Sequence, residues 1–332
     1  MSPSRPRVFV TRALPGAEPL ARLRAAADVV VWAEDRPPTR DELIDGAASA
    51  DGLLTMITDR VDAPLLDACP VLRVVSQMAV GYDNLDVAAA SARSIAVTNT
   101  PDVLTETTAD MAFALLLAAA RRLPDAEAAV RGGTWGPWHP TWLLSRDVHG
   151  TTLGIVGGGR IGAAVARRAV GFGMRVLYHS RHAAPGFPGE RVELDALLSQ
   201  SQFVSVHVPL TPETACMFNT AAFAKMRPEA VFVNTARGGV VDQPALIAAL
   251  HNGTIAAAAL DVMTPEPLSP DDPLLRAPNL IVTPHLGSAT ERTRIAMAAL
   301  AVEDLLATLR GERPKHLVNP EVWVNAEAGR NV

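Results

Sequence analysis

The sequence predicts an α/β protein built from two doubly wound parallel sheets. Short apolar stretches alternate with Ala- and Leu-rich segments along nearly the whole chain, a pattern typical of parallel strands covered by helices. About eleven strand candidates are too many for one ordinary doubly wound sheet, and they fall into two groups, before residue 100 and from 152 to 283. The chain of 332 residues is long enough for two domains and a large apolar core.

Each predicted strand is a short apolar stretch with turn residues near its ends. In the first group the strand candidates are Arg7–Val10, Val29–Trp32, Gly52–Thr55, Val74–Ser76 and Ala96–Thr98. In the second group they are Thr152–Val156, Arg175–Tyr178, Phe203–Val208, Val231–Asn234, Ile255–Leu260 and Leu280–Thr283.

Two longer stretches are predicted to be helices. Leu104–Arg122 should form one helix capped by Thr105, with acidic residues in its first turn. Its middle is apolar on nearly all sides, which indicates burial either against a second subunit or within its own domain. Ser288–Arg310 should form a further helix near the C-terminus.

A tryptophan-rich segment follows the first long helix. Gly132–Pro140 contains Trp135 and Trp138, and Trp142 lies two residues after it. Aromatic residues on an irregular loop are typical of a protein–protein interface. The alternative is a loop whose aromatic side chains pack onto its own domain.

The composition excludes several classes of function. Lys and Arg number 30 against 35 Asp and Glu, and no long basic run is present, so neither nucleic-acid nor membrane-surface binding is expected. The longest apolar run, Met111–Ala120, is too short to span a bilayer, and no signal peptide is recognisable. Cys69 and Cys216 are expected to be free, buried thiols of a cytoplasmic protein without a metal site.

The most specific motif is a strand followed by G-x-G-x-x-G, within Thr152–Gly162. Gly157 would permit a tight turn, Gly159 would let the backbone approach a pyrophosphate, and Gly162 would allow close packing of helix on sheet. A helix-like segment and a second strand follow. This context favours a dinucleotide site over a glycine-rich turn without a ligand.

The residues after the second strand of this unit indicate which dinucleotide binds. An NAD site usually has an acidic residue there for the ribose 2′-hydroxyl, but this chain has none before Glu190. It has Ser180 and Arg181 instead, and arginine suits a 2′-phosphate. We therefore expect NADP(H) to be preferred, with NAD(H) as the alternative cofactor. The competing interpretation is that Arg181 is a solvated loop residue.

Three residues that follow predicted strands could carry a reduction. Arg237, Glu266 and His285 all lie just beyond strand ends, where open α/β sheets bind their ligands. Arginine pairs with a carboxylate, histidine can deliver a proton near neutral pH, and a neighbouring carboxylate favours the protonated histidine. Such a set suits a 2-keto acid. Taken singly, each residue could equally be a surface or turn residue.

Longer stretches resemble one known family. The chain is similar over nearly its whole length to the D-isomer-specific 2-hydroxyacid dehydrogenases, and within them to the glyoxylate/hydroxypyruvate reductases. The stretches that carry the resemblance are Ala79–Asp86, Leu104–Asp110, Trp138–Trp142, Gly157–Gly162, Asn234–Gly239, Pro265–Leu268 and Pro284–Thr290.

The resemblance implies a role for each matching residue. Arg237 would bind the substrate carboxylate and keto oxygen, His285 would be the general acid in reduction, and Glu266 would orient His285. The substrate would also contact Met56, the backbone N–H groups of Val80 and Gly81, and Trp138. The cofactor would contact Thr107, Gly157, Gly159, Arg160, Ile161, Gly162, Ser180, Arg181, Val208, Pro209, Ala236, Asp261, His285 and Gly287.

The resemblance also implies the domain organisation. A Rossmann cofactor domain, residues 101–285, would be inserted into a flavodoxin-like substrate domain formed by residues 1–100 and 286–332. We also expect a homodimer formed through the Leu104–Arg122 helix and the tryptophan-rich segment, and the resemblance implies that Trp138 reaches the partner's active site.

Related activities remain as alternatives. Reduction of 2-ketogluconate or a D-lactate-type reaction needs the same catalytic set, and the difference lies in pocket shape. Formate and phosphite dehydrogenases are disfavoured by Glu266 and Val80. The regulatory domain of many 3-phosphoglycerate dehydrogenases is not expected in a chain of this length, although short forms of those enzymes exist. A dinucleotide-sensing corepressor on the same fold is the alternative outside enzymes.

Overall fold

The computed structural model describes residues 5–324 of the chain. These residues form two compact units, and the chain crosses between them after Leu104 and after Ala289. The terminal unit comprises the residues up to Leu104 and those from Thr290 onward; the central unit is Thr105–Ala289. Both crossings lie four residues beyond the expected domain boundaries at 100 and 285.

The terminal unit is a five-stranded parallel sheet with helices on both faces. Its strands lie in the order β2-β1-β3-β4-β5, which is the flavodoxin-like order. Phe9, Leu53 and Val75 point towards α2–α4, whereas the long C-terminal helix α11 packs on the other face against β3 and β4. The elements are β1 Arg7–Val10, α1 Ala17–Ala26, β2 Asp28–Val31, α2 Arg40–Ala47, β3 Gly52–Thr55, α3 Ala63–Asp67, β4 Val74–Gln77, α4 Val87–Ala92, β5 Ala96–Thr98 and α11 Glu291–Leu309.

The central unit is a seven-stranded parallel sheet in the order β12-β11-β10-β9-β6-β7-β8. The order reverses between β6 and β9, as in a Rossmann fold. Its elements are α5 Thr105–Ala120, α6 Leu123–Arg131, β6 Thr152–Val156, α7 Arg160–Gly171, β7 Arg175–His179, β8 Glu190–Arg191, α8 Leu194–Gln200, β9 Phe203–Val206, α9 Thr220–Lys225, β10 Val231–Asn234, α10 Gln243–His251, β11 Ala257–Leu260 and β12 Leu280–Val282. The predicted fold class, with two doubly wound parallel sheets, is confirmed.

Side chains of the central strands alternate between two apolar layers. Leu153 and Ile155 of β6 belong to the layer under α5 and α7, whereas Val156 belongs to the layer under α8–α10. Gly154 completes the alternation, because a Cβ there would lie 2.4 Å from Leu197 of α8. Both faces are buried, as continuous apolar strands require.

The first long helix is shorter than predicted, and it is buried within its own unit. It begins at Thr105 itself and ends at Ala120, since Arg122 has a left-handed backbone (φ 52°) and a separate helix, α6, begins at Leu123 with Pro124 in its first turn. Its apolar residues, among them Phe113 and Leu116, pack on α7, β10 and β11. Of the two alternatives for this helix, burial within its own domain is therefore the one observed.

Other predicted bounds change by one to three residues, and the largest change is in the C-terminal helix α11, which begins at Glu291 and not at Ser288. β9 ends at Val206 and β11 begins at Ala257, so the Phe203–Val208 and Ile255–Leu260 predictions were too long, and the edge strand β8 was missed. Both cysteines are free, but only Cys69 is buried. The prediction of two buried thiols was wrong for Cys216, which lies on an exposed loop with φ 49°.

No helix within residues 5–324 combines the length and the apolar character needed to cross a bilayer. No cluster of three or more His, Cys, Asp or Glu side chains is arranged there to hold a metal ion.

Candidate active site

The glycine loop after β6 has the shape that a dinucleotide site requires. Gly157 has φ 119°, and a Cβ at this position would lie 2.5 Å from the carbonyl oxygen of His207. A Cβ on Gly162 would lie 2.1 Å from the carbonyl oxygen of Gly157. No side chain can therefore replace hydrogen at either position without displacing backbone.

The helix that follows this loop presents its N-terminal N–H groups without a side-chain cap. Helix α7 begins at Arg160, and its N-cap residue Gly159 has no side chain to cap the first N–H groups. A Cβ on Gly159 would meet nothing within 4 Å, so the space beside it is open. Oriented N–H groups and the helix dipole at such an end suit a pyrophosphate. These residues therefore fit a dinucleotide cofactor.

The strand order reverses between β6 and β9, and there the loop after β9 lies against the glycine loop. The backbone N–H of His207 donates to Val156, and the His207 ring lies 2.8 Å from the Ser205 hydroxyl. Burial lowers the pKa of His207 to about 3, so its ring is neutral at physiological pH. Val208 and Pro209 follow directly. His207 was not among the predicted site residues, although it stands beside them in the sequence.

Ser180 and Arg181 lie beyond the end of β7, next to the glycine loop. Ser180 packs there closely enough that a Cβ on Gly158 would be 2.9 Å from its hydroxyl oxygen, and that hydroxyl donates to the carbonyl of His182. Arg181 is exposed. The pKa of Glu213 lies below its usual value, because Glu213 accepts hydrogen bonds from Thr211 and from its own backbone N–H and because the charge of Arg181 acts on it. Arg181 thus has one carboxylate in its neighbourhood.

Arg237 is presented by a rigid turn after β10. The buried side chain of Asn234 accepts from the N–H of Ala236 (2.9 Å) and donates to the carbonyl of Arg237 (2.8 Å). The next residue, Gly238, lies so close to the loop after β11 that a Cβ would be 1.9 Å from the carbonyl oxygen of Met263. Asn234 and Gly238 therefore fix Arg237 beside the loop that carries Glu266.

The side chains of Glu266 and His285 are half-buried and lie at ion-pair distance from each other. Glu266 Oε2 lies 2.8 Å from Nδ1 of His285, and Oε1 accepts from the backbone N–H of Met263 (2.8 Å). Burial alone would raise the pKa of Glu266, but the two hydrogen bonds and the positive charge of Arg237 outweigh it and hold this pKa below its usual value. Glu266 is therefore ionised, Nδ1–H of His285 is its donor, and Nε2 is left for chemistry.

Asp261 fixes the backbone around His285. Its fully buried carboxylate accepts from Thr283 Oγ1 (2.6 Å), from the N–H of Leu286 (2.7 Å) and from that of Gly287 (2.7 Å). His285 has a left-handed backbone (φ 56°), which is uncommon for a residue with a side chain. The three hydrogen bonds hold it there.

The remaining predicted residues of the central unit lie on separate elements. Ala236 is in the Arg237 turn, whereas Thr107 is in the first turn of α5, one residue before Thr108, which packs against Gly287. Trp138 lies on the loop after α6, and its side chain is 85% exposed. The Trp138 side chain therefore does not pack onto its own unit.

The predicted substrate residues of the terminal unit lie on two loops, after β3 and after β4. The carbonyl of Val80 accepts from Asn99 (2.8 Å), and the carbonyl of Ala79 accepts from the N–H of Thr100. Within residues 5–324 the N–H groups of Val80 and Gly81 donate to no other group. These two donors suit a carboxylate.

A buried polar network that sequence reasoning missed joins these two loops. Asn84 donates to the carbonyls of Met56 (3.2 Å) and Asp59 (2.6 Å), and accepts from Gln77 (2.7 Å). Gln77 accepts in turn from Thr55. Asp59 accepts from the N–H of Met56 and from Thr11; burial raises its pKa despite these bonds. Met56 is thereby fixed relative to the Val80–Gly81 loop.

Comparison with known proteins places the chain in a family. A sequence model for the NAD-binding domain of D-isomer specific 2-hydroxyacid dehydrogenases matches residues 113–287. The chain is 51% identical to a glyoxylate reductase of Korarchaeum cryptofilum, covering 96% of this chain and 97% of that protein.

The chain belongs to the D-isomer specific 2-hydroxyacid dehydrogenases.

Solved structures agree with this assignment. The NADPH-dependent glyoxylate/hydroxypyruvate reductase of Sinorhizobium meliloti, in complex with NADP and malonate, is 37% identical over 96% of this chain and 98% of its own, with a TM-score of 0.83. A Thermus thermophilus protein is 48% identical over 94% of this chain and 99% of its own, with a TM-score of 0.89. This dehydrogenase is an NAD(P)-dependent oxidoreductase, and its NAD-binding domain lies in the central unit.

Proposed function

We propose that this dehydrogenase reduces small 2-keto acids, glyoxylate and hydroxypyruvate, to D-2-hydroxy acids with NADPH. The observation that carries the proposal is the Glu266–His285 pair, 2.8 Å apart, beside the Arg237 turn at the edge of the sheet that holds the glycine loop. The curated glyoxylate reductases that it resembles, at 44% to 51% identity, support the choice of substrate.

The proposed mechanism assigns one task to each residue. Arg237 binds the substrate carboxylate and polarises the keto oxygen, and the N–H groups of Val80 and Gly81 add donors to the carboxylate. Bound NADPH supplies the hydride for the carbonyl carbon. His285 gives its Nε2 proton to the oxygen as the alkoxide charge develops, and ionised Glu266 keeps the imidazolium charged and oriented before that step. Met56 borders the substrate, and Trp138 borders the substrate bound to the partner subunit.

The proposed cofactor contacts follow the glycine loop. The N-terminal N–H groups of α7, at Arg160 and Ile161, hold the pyrophosphate, and Val208 and Pro209 flank the adenine. Ser180 and Arg181 hold the 2′-phosphate, which gives the preference for NADPH over NADH. Thr107, Ala236, Asp261 and Gly287 lie at the nicotinamide end. Asp261 accepts three hydrogen bonds within the protein. A carboxylate has about four acceptor positions, so one is left for a donor from the cofactor.

We also propose a homodimer, formed through α6 and the tryptophan loop. Helix α6 has no buried residue, and the side chains of Trp135, Trp138 and Leu144 are 65%, 85% and 67% exposed. Exposed apolar residues so closely spaced mark an interaction surface. A second copy of this chain covers them in the proposed assembly.

Product analysis tests the proposed reaction against its alternatives. Hydroxypyruvate and NADPH should give D-glycerate at a higher kcat/KM than pyruvate or 2-ketogluconate give their products. L-glycerate as product would contradict the assigned stereochemistry. Preferred turnover of pyruvate or 2-ketogluconate would move the substrate to one of those classes. Tight NADPH binding without turnover of any 2-keto acid would favour a dinucleotide sensor.

A further inference from the structure

The guanidinium group of Arg191 is hydrogen-bonded to the loop that carries Ser180 and Arg181. Its Nε and Nη2 donate to the carbonyl of Ser180 (3.3 and 3.0 Å), and Nη2 also donates to the carbonyl of Arg181 (3.1 Å). We propose that Arg191 is the second cation of the 2′-phosphate site and, with Arg181, determines specificity for NADP(H). This inference rests on the proposed NADPH dependence.

The edge strand β8 gives Arg191 its position. β8 pairs in parallel with β7, and Arg191 lies opposite Tyr178, two residues before Ser180. The next residue, Val192, donates its backbone N–H to the carbonyl of Tyr178 (2.9 Å), and its own carbonyl lies 3.1 Å from His179 Nδ1. The backbone of Arg191 is thus tied to β7 on both sides. Its side chain reaches the loop from a fixed base.

The charge of Arg191 is not compensated. Within residues 5–324, Arg191 makes no ion pair, and its Nη1 makes no hydrogen bond. The other arginine at this edge, Arg175, pairs with Glu190 (2.8 Å), and the charge of Arg181 acts on Glu213. A dianionic phosphate at the Ser180–Arg181 loop would therefore meet in Arg191 a cation that has no ion-pair partner among residues 5–324.

The hydrogen bonds also remove an obstacle to anion binding. The carbonyls of Ser180 and Arg181 carry partial negative charge, which would repel a phosphate beside the loop. With both carbonyls bound to a guanidinium, the loop presents net positive charge instead. Since the adenosine of NAD(H) carries no 2′-phosphate, this charge should favour NADP(H) without changing NAD(H) binding.

Binding measurements with the full-length chain separate charge from loop structure. Calorimetric titration with NADP⁺, NAD⁺, 2′,5′-ADP and ADP should show that R191A weakens both 2′-phosphorylated ligands about tenfold, the size of one charge-assisted contact, with NAD⁺ and ADP unchanged. R191K keeps the charge but not the planar fork, and should lose less. R175A, at the other end of β7, is the matched control and should bind all four ligands like the wild type.

Three results would overturn the inference. Equal weakening of all four ligands by R191A would mean that Arg191 only supports the loop. A selective loss in R181A with none in R191A would leave NADPH dependence intact and remove Arg191 from the site. Equal binding of 2′,5′-ADP and ADP by the wild type would refute the NADPH preference and this inference together.

Discussion

At the scale of single residues, the Glu266–His285 pair determines how the reaction should depend on pH. The pKa of Glu266 lies below its usual value, so its carboxylate is ionised above that usual value and is neutralised only as the pH falls through the lowered one. Glu266 therefore stays charged across the neutral range. Protonation of Glu266 should therefore cause no loss of reduction across that range.

E266Q should lower the rate of reduction across that range. Without the carboxylate 2.8 Å from Nδ1, the His285 ring loses the charged acceptor that orients it, and kcat/KM should fall about tenfold. The measurement is kcat/KM for glyoxylate between about pH 5 and pH 9. E193Q, a change at an exposed residue whose side chain caps no helix, is the control. An unchanged kcat/KM in E266Q at every pH would contradict the role of Glu266 in orienting His285.

Asn84 is a positioning residue whose effect should fall on substrate binding. N84A removes the hydrogen bonds to the carbonyls of Met56 and Asp59, and so releases the loop after β3 from the loop that carries Val80 and Gly81. We expect KM for glyoxylate to rise about tenfold, with kcat and the Kd for NADPH nearly unchanged. N252A, at the exposed end of α10, is the control. A fall in kcat with unchanged KM would contradict this role.

At the scale of elements, the junction of β6 with α7 should tolerate no side chain at Gly162. G162A places a Cβ 2.1 Å from the carbonyl oxygen of Gly157, so the loop must shift and NADPH binding should weaken by at least about tenfold. G171A, at the end of the same helix, meets nothing within 4 Å and should be neutral or stabilise the helix by up to ~1 kcal/mol. Equal NADPH affinities in both variants would contradict the assigned role of the loop.

The elements also show what the sequence could predict. Strands that are buried on both faces are continuous apolar runs, so all of β1–β7 and β9–β12 were predicted within two residues at each end. The two-residue strand β8 has no such signal, because only its pairing with β7 defines it. The end of α5 was overestimated because the helix-like composition continues into α6; Pro124 was the signal that could have corrected it.

The site was predictable only where a strand end marks it. Arg237 and His285 follow strands directly, so parallel topology brings them to one edge of the sheet. The network of Gln77, Asn84 and Asp59 joins loops that lie far apart in the sequence, and its members look like ordinary turn residues until the fold is known. Arg191 was missed because only the pairing of β8 with β7 brings it to the Ser180–Arg181 loop.

At the scale of the whole molecule, the exposed tryptophans should define the assembly. We expect the wild type to have the mass of a dimer at micromolar concentration, and W135A/W138A to shift towards the monomer, because these side chains are 65% and 85% exposed in the single chain. Light scattering after size exclusion measures this. F172A, which removes another partly exposed aromatic residue of the central unit, is the control. A monomeric wild type would contradict the proposed dimer.

The most direct test of the whole account is the initial rate of NADPH oxidation with glyoxylate, measured beside NADH and beside H285A. The account predicts saturable oxidation that is faster with NADPH, and a loss of about 10²- to 10⁴-fold in H285A while NADPH still binds. Near-normal oxidation by H285A, or none by a wild type that binds NADPH tightly, would contradict it.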